Sequence, residues 1–305
     1  MTSSLKYQEF LRVSIGYVNG KFVAVPLNRG AGVVTSFVKA DGIVTIPQNV
    51  EGYDAGAVVR AQLLRPKEEI MQTLCVIGSH DPLIDEVANF LRQQDPMVLI
   101  SSSHVGSMGG IMAVKRGEAH MGAIHLLDEQ TGEYNFSYLE KYFPQGGVVL
   151  VECVNRTQGF MVKKGNPHQI HSFSDIAEKN LSYVNRQKGS GTRILCDYLL
   201  KQQGVSAEKI YGYSREEFTH TGVAAQIAGN SADVGLGVYS AAKMYGLDFV
   251  PLCDEKYDLL ISKEAFQLPQ TQKFLEVLQS SAFQNRILEM GGYTFAHPGT
   301  IKKEY

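Results

Sequence analysis

No tryptophan occurs in the 305 residues, and cysteine is confined to four positions. Cys75, Cys153, Cys196 and Cys253 stand far apart among apolar neighbours. Their spacing offers neither a redox pair nor a thiolate metal cluster, and they read as inert core residues. An excess of charge of one sign is also missing: 29 basic against 31 acidic side chains leave a formal net charge of -2. So balanced a chain has no electrostatic footprint for nucleic acid, and it has no basic arm. No hydrophobic run approaches a bilayer span, and Met1 to Phe10 lack the apolar stretch of an export signal. Membrane is therefore excluded as a partner, and a cytoplasmic location is expected. A Gly-x-x-x-x-Gly-Lys-Ser/Thr loop and a Gly-x-Gly-x-x-Gly turn are absent too, which disfavours nucleotide binding.

What is present is an ordinary globular composition, 44% hydrophobic and 20% charged, long enough to bury two or three cores. Residues Val13 to Leu64 read as short strands. Tyr17 to Val25 form two β runs about Asn19-Gly20, a strong hairpin signal. Val33 to Phe37, Ile43 to Ile46 and Ala57 to Leu64 supply the other strands of a small all-β unit. The charged segment Arg65-Pro66-Lys67-Glu68-Glu69 separates two periodicities and sets the expected boundary, with one domain over 1–66 and another over 67–305.

Beyond it, strand-like and helical runs alternate. Thr73 to Gly78 is followed by a helix over Pro82 to Gln94 with Asp81 as N-cap. Strands over Met97 to Ser101 and Met121 to Leu126 flank a short helix over Ile111 to Arg116. Val148 to Val154 runs on through Asn155 to Gly159 into Val162 without a helix, the pattern of a crossing between lobes. A second α/β set follows: a capping box at Ser172 and Asp175, strands Leu181 to Asn185 and Asp233 to Gly237, and helices Thr192 to Gln203 and Gly222 to Ala228. Strands Phe249 to Leu252 and Leu259 to Ser262 and a helical run Thr271 to Met290 return the chain. The expectation is an α/β fold with a parallel, doubly wound sheet in two lobes. Lobe 1 spans about 71–154 and 253–305 and lobe 2 about 155–252, hinged near Val154 and Leu252.

In open α/β sheets ligands sit beyond the carboxyl ends of the strands, where loops run into helix starts. Four such loops here are rich in Ser, Thr and Gly: Gly78 to Asp81, Ser101 to Gly110, Gln187 to Arg193 and Thr219 to Gly222. Helix-start amides carry partial positive charge, and hydroxyls donate without adding formal charge, so these loops suit a tetrahedral oxyanion. The candidate ligand-binding residues are Ser79, Ser103, Ser107, His125, Ser190, Gly191, Thr192, Arg193 and Thr221. Each loop alone is explained as well by a glycine turn and a cap; their recurrence at equivalent places favours binding. His80, His104 and His220 fall in the same loops, and His125 ends a strand, where it either lines the cleft or is a satisfied polar group. No histidine has carboxylate or thiolate neighbours at metal-site spacing. Ser107 lies one glycine short of a Gly-x-Ser-x-Gly elbow, a weak sign of a hydrolase.

Two resemblances follow from these motifs. Gly30 to Pro47, with Gly52 and Ala55-Gly56 before a last strand, resembles the C-terminal β domain of the MoeA family, the molybdopterin molybdenumtransferases, over residues 10–65. The segments Ser107 to Gly110, His125 to Asp128, Thr131 to Asn135 and Asn185 to Arg193 resemble the type II periplasmic-binding-protein-like domain fused behind such transferases. The resemblance implies a cytosolic binding module linked to molybdenum or tungsten cofactor synthesis, with molybdate or tungstate as ligand and no covalent cofactor. The transferase's catalytic domain lies upstream of the β domain and is not in this sequence, so no catalytic residue is carried over. The chain is expected to be a piece of a longer fusion or a form without the enzymatic half. Two alternatives remain open. One is a non-catalytic tail of such a transferase, dimerising through the β domain. The other is a sensor of a pterin-like molecule, which aromatic residues in the cleft such as Tyr134, Phe136 or Tyr239 would favour.

Overall fold

A computed structural model describes residues 1–27, 35–128 and 130–305. The chain opens with the expected hairpin, β1 (Glu9–Val18) and β2 (Lys21–Pro26). Asn19 (φ 50°) and Gly20 (φ 77°) supply the two positive dihedrals that a tight turn of matching twist requires. A helix α1 (Thr35–Lys39), then β3 (Gly42–Ile46), β4 (Ala61–Leu63) and a helix α2 (Lys67–Met71) complete the unit. Its sheet is antiparallel in the order β2-β1-β3-β4. The expected strand over Val33 to Phe37 is corrected where it is described, since Thr35 onward is helical; Val33 and Val34 lie outside the described residues. The last strand is also shorter than expected.

Leu11, Val13 and Ile15 of β1 point inward onto Val44, Ile46 and Ile70. Ile70 comes from α2, so the charged Arg65 to Glu69 segment is bound into the β unit rather than being a free linker. Asp41 holds it there: its carboxylate accepts from the Ser14 hydroxyl and the Ile15 amide, both at 2.8 Å, and from the Arg65 guanidinium at 2.5 Å. On its other face β1 docks onto the next domain. Ser14 Oγ meets Ser101 Oγ at 2.5 Å, and Gly16 lies directly against Cys75 Sγ.

That domain begins with β5 (Thr73–Gly78), α3 (Pro82–Gln94), β6 (Leu99–His104), α4 (Gly106–Lys115), β7 (Met121–Ile124) and α5 (Phe136–Tyr142). The long β8 (Val148–Val162) leads into the second lobe: α6 (Phe173–Glu178), β9 (Tyr183–Arg186), α7 (Gly191–Gln202), β10 (Glu216–Glu217), α8 (His220–Ala228), β11 (Val234–Val238) and α9 (Tyr239–Met244). An equally long β12 (Asp248–Ser262) returns, followed by α10 (Lys263–Phe266), α11 (Pro269–Gln279), α12 (Ser281–Met290), β13 (Tyr293–Thr294) and β14 (Ile301–Glu304).

All strands of both lobes join one sheet, β10-β9-β11-β8-β12-β7-β5-β6, with β13 and β14 also on β8. Its outer strands pair in parallel, as the alternation of elements implies, but the central pair β8 and β12 is antiparallel. The sheet is thus mixed rather than wholly parallel. The two strands expected at Phe249 to Leu252 and Leu259 to Ser262 are one, because pairing with β8 continues through the polar stretch between them. Register shifts between Pro251 and Cys253 and between Tyr257 and Asp258 bend this ribbon. The run Thr271 to Met290 is two helices, interrupted at Ser280, whose extended backbone (ψ 136°) lets its hydroxyl accept from the Phe283 amide at 3.3 Å. Apolar side chains fill both faces of each half of the sheet, around Leu74, Val151 and Phe274 and around Ile111 and Leu150 in lobe 1, and around Phe160 and Leu236 and around Val223 and Ala241 in lobe 2. No helix among the described residues is long and apolar enough to cross a membrane.

Candidate functional site

Helix starts from both lobes converge on the middle of the β8/β12 ribbon. Asp81 caps α3 by accepting from the Leu83 amide at 2.8 Å. Ser190 caps α7 through the Arg193 amide at 3.1 Å, and Thr219 caps α8 through the Gly222 amide at 2.9 Å. The lobes touch across the gap, where the Met108 amide of α4 meets the Gly189 carbonyl at 3.4 Å. Gly191 packs so tightly on the His125 carbonyl and ring that a Cβ there would overlap them.

The floor is a buried polar network. Alternation along β8 puts Arg156 and Gln158 on one face, and Glu255 of β12 is the cross-strand partner of Arg156. The Arg156 guanidinium, 1% exposed, pairs with Glu255 and with Asp81 and lies 4.3 Å over the Tyr257 ring. Gln158 Nε2 donates to Glu255 Oε1 at 2.8 Å and to Thr192 Oγ1 at 3.0 Å. His125 Nδ1 is 2.8 Å from Glu255 Oε2, and its Nε2 is 2.6 Å from Ser79 Oγ. With Glu255 ionised, Nδ1 carries the proton and Nε2 accepts from Ser79. The Ser79 hydroxyl proton is thereby directed at His125, which leaves its lone pairs for other donors.

Charge follows from this arrangement. Although burial works against it, the Arg156 guanidinium and His125 hold the Glu255 carboxyl down to about 2. Burial keeps the His125 ring below the usual imidazole range, with Glu255 opposing. Arg186, 1% exposed, has no carboxylate bonded to it: it donates to Gln187 Oε1 and the Glu217 carbonyl at 3.2 Å and the Phe218 carbonyl at 3.1 Å. Burial and the neighbouring Arg156 lower its guanidinium to about 9. Buried polar atoms are left over, most of them donors, with the Gln158 Oε1 acceptor also unpartnered among the described residues. Arg156 Nη2, Arg186 Nη1, Gln187 Nε2 and the His220 ring have no hydrogen-bonding partner among the described residues. Buried donors without partners are costly, so such a cluster marks a place built to receive an acceptor.

The structure gathers Ser79, His125, Ser107, Gly191 and Thr192 from the expected set at this site. Ser107 Oγ accepts from the His125 amide at 3.1 Å, and Thr192 turns its hydroxyl to Gln158 while Ser190 does the capping. Thr221 sits half-buried at the start of α8, 3.1 Å from the Thr219 hydroxyl. Two residues stand elsewhere. Ser103 lines a small cavity with Ser14, Gly16 and Cys75, on the face toward the β unit. Arg193 turns outward to Asp197 at 3.3 Å and Glu216 at 3.2 Å and stacks 4.2 Å over Tyr213. Sequence reasoning missed Arg156, Gln158, Glu255 and Arg186. Their available signal was a charged or amide side chain at alternate positions within or at the end of otherwise apolar strands. Of the four cysteines expected in the core, Cys75, Cys153 and Cys196 are buried and Cys253 is half-buried; burial pushes the Cys75 and Cys196 thiols up to about 12. Among the described residues no group of three or more His, Cys, Asp or Glu is placed to hold a metal.

A family model for the PBP superfamily domain matches residues 88–279. The chain belongs to the PBP superfamily. Residues 1–64 match the MoeA C-terminal region (domain IV), so a MoeA-type β domain is fused ahead of the PBP domain. The uncharacterized protein YvgK of Bacillus subtilis is 34% identical over 229 residues, covering 74% of this chain and 72% of its own length. A Methanocaldococcus jannaschii protein assigned to molybdopterin biosynthesis is 38% identical over 66 residues, 21% of this chain and 15% of its own. Among solved structures, a Clostridium perfringens substrate-binding protein with bound phosphate aligns at TM-score 0.56 and 15% identity, over 73% of this chain and 99% of that one. The tungstate ABC transporter structure from Geobacter sulfurreducens aligns at TM-score 0.52 and 14% identity, over 71% and 98%. These likenesses fix the two-lobed PBP fold.

Proposed function

We propose that the PBP domain of this chain is a binding module that closes on a small tetrahedral oxyanion between its lobes. The observation that carries this reading is the cluster of buried donors, Arg156 Nη2, Arg186 Nη1 and Gln187 Nε2, which find no acceptor among the described residues where the lobes meet. An oxyanion is acceptor on every face and would satisfy them together. Phosphate bound in one structure of the same fold, and the tungstate transport named for another, support the class. The fused MoeA-type β domain supports tungstate or molybdate within it, and a role in molybdenum or tungsten cofactor synthesis. An organic, pterin-like ligand is less well supported, because two of the three aromatic side chains that would stack on one are engaged elsewhere and the third, Tyr134, is packed against the lobe 2 core. Tyr239 packs edge-on to Phe249 at 5.3 Å, and Phe136 lies beneath Lys302 and Lys303 of β14.

Thermal unfolding with added anions tests the proposal. Tungstate or molybdate at a hundred times its dissociation constant is expected to stabilise the folded chain by about 2.7 kcal/mol, raising Tm, with sulfate and phosphate doing less. No shift with any of the four would remove the oxyanion reading. A larger shift with sulfate or phosphate would move the ligand assignment and leave the site in place.

A further inference from the structure

Resting on the oxyanion reading, we infer that the cleft takes its ligand as a dianion together with one proton, and that His220 carries that proton. The argument starts from the charges the closed cleft contains. Arg156 and Arg186 contribute two positive charges, Asp81 and Glu255 two negative ones, and Arg156 is bonded to both carboxylates. Arg186 alone spends its bonds on neutral acceptors. These four charges sum to zero, so a dianion would bring two uncompensated negative charges into a dry interior, which is costly, and a proton taken up with it removes one of them.

His220 stands where that charge is needed. It is the first residue of α8, fully buried, and both of its ring nitrogens lack a partner among the described residues. The charged or titratable groups that act on it most are Arg186 from β9, Arg156 from β8, His80 from the loop after β5 and His125 from the loop after β7, while Glu217 of β10 packs on the same helix against Gly222 and Gln226. Gly237 of β11 and Met161 of β8 close its remaining side with apolar contact. Among the described residues no carboxylate is hydrogen-bonded to the ring. Burial and the two guanidinium groups therefore hold the ring neutral, well below the ordinary imidazole range. An anion seated against Arg186 reverses the sign of that field. It also gives a protonated ring an acceptor, and it offsets the partial positive charge of the helix start, which by itself disfavours a cationic ring. The neighbouring His125 is less free to respond, since both of its ring nitrogens are already engaged, by Glu255 and by Ser79, and a second proton would force the Ser79 hydroxyl to reverse its bond.

The linkage has a definite sign. A group whose pKa rises on binding takes up a proton, so affinity falls as pH rises. With one proton bound per ligand, Kd is expected to increase about tenfold per pH unit over the range where the free cleft is neutral and the occupied one protonated.

The test is calorimetric titration of the full chain with sodium tungstate, and separately with sulfate, near neutral pH in buffers of different ionisation enthalpy. Observed enthalpy plotted against buffer enthalpy should give an uptake close to one proton per anion. His220→Gln should lower affinity and reduce the uptake to near zero. Should that variant fold poorly, the pH dependence of Kd in the unaltered protein gives the same answer. Binding with no proton uptake and a flat Kd, or uptake that persists in a folded His220→Gln chain, would overturn the inference and leave the oxyanion reading standing. Absence of binding heat with tungstate, molybdate, sulfate and phosphate alike would overturn both.

Discussion

Glu255 is the residue on which the site's polarity turns, because it accepts from Arg156, Gln158 and His125 at once. Replacing it by glutamine leaves Arg156 with Asp81 as its sole charged partner and costs His125 its anionic acceptor. Loss of one member of a buried pair typically costs about 3–5 kcal/mol, so Glu255→Gln is expected to lower Tm strongly in the unliganded chain, read by circular dichroism. The pH dependence follows in sign. Glu255 is depressed from 4.5 to about 2, so its contribution is complete above pH 4.5 and disappears as pH falls toward 2. His125 and His220 are depressed below 6.5, so the unfolded chain binds their protons first, and stability should already decline as pH drops below 6.5. Unfolding measured from pH 8 to pH 3 should therefore show a monotonic fall; a gain in stability on acidification would contradict it. Saturating anion should flatten the upper part of that fall.

Among the elements, the starts of the helices were the most legible in the sequence and the floor of the cleft the least. Asp81-Pro82, Ser172 to Asp175 and Asn19-Gly20 carry their geometry in local chemistry, and all three form as read. Thr192 was ambiguous because Ser190, two residues earlier, is an equally good cap, and only the packing of α7 decides between them. Arg156 and Glu255 were invisible for a different reason: they belong together through a cross-strand register 99 residues long in sequence, which no local pattern reports. Arg193 looked like an anion contact by adjacency to the glycine loop, but the first turn of a helix points successive side chains about 100° apart, and its neighbour Thr192 takes the inward direction. Two substitutions check this picture. Gly191→Ala should abolish the anion-induced Tm shift, since the added methyl overlaps His125, at about 1–3 kcal/mol from overpacking. Ser280→Ala should cost about 1 kcal/mol through the lost cap of α12 while leaving anion binding intact by calorimetry.

At the scale of the whole molecule, the β domain is seated on lobe 1 through the outer face of β1, where Gly16 admits the Cys75 sulfur and Ser14 meets Ser101. A branched side chain at position 16 would hold the surfaces apart. Gly16→Val is expected to convert a single calorimetric unfolding transition into two, one for each domain, with anion raising only the transition of the PBP domain. Retention of one sharp transition would show that other contacts keep the domains coupled. Between the lobes the connection is of another kind. β8 and β12 are laddered from the Asp248–Val162 pair to the Ser262–Val148 pair with only two register shifts, and Arg156 and Glu255 face each other midway between those shifts. Such a ladder resists sliding and yields to twisting, so the lobes can move relative to one another chiefly as two ends of a torsion bar. A ligand gripped at its midpoint sits near the axis, where displacement is smallest, while the lobe rims travel farthest. Occupancy of the floor by a small ligand is thus expected to be written out as a larger displacement at the lobe rims.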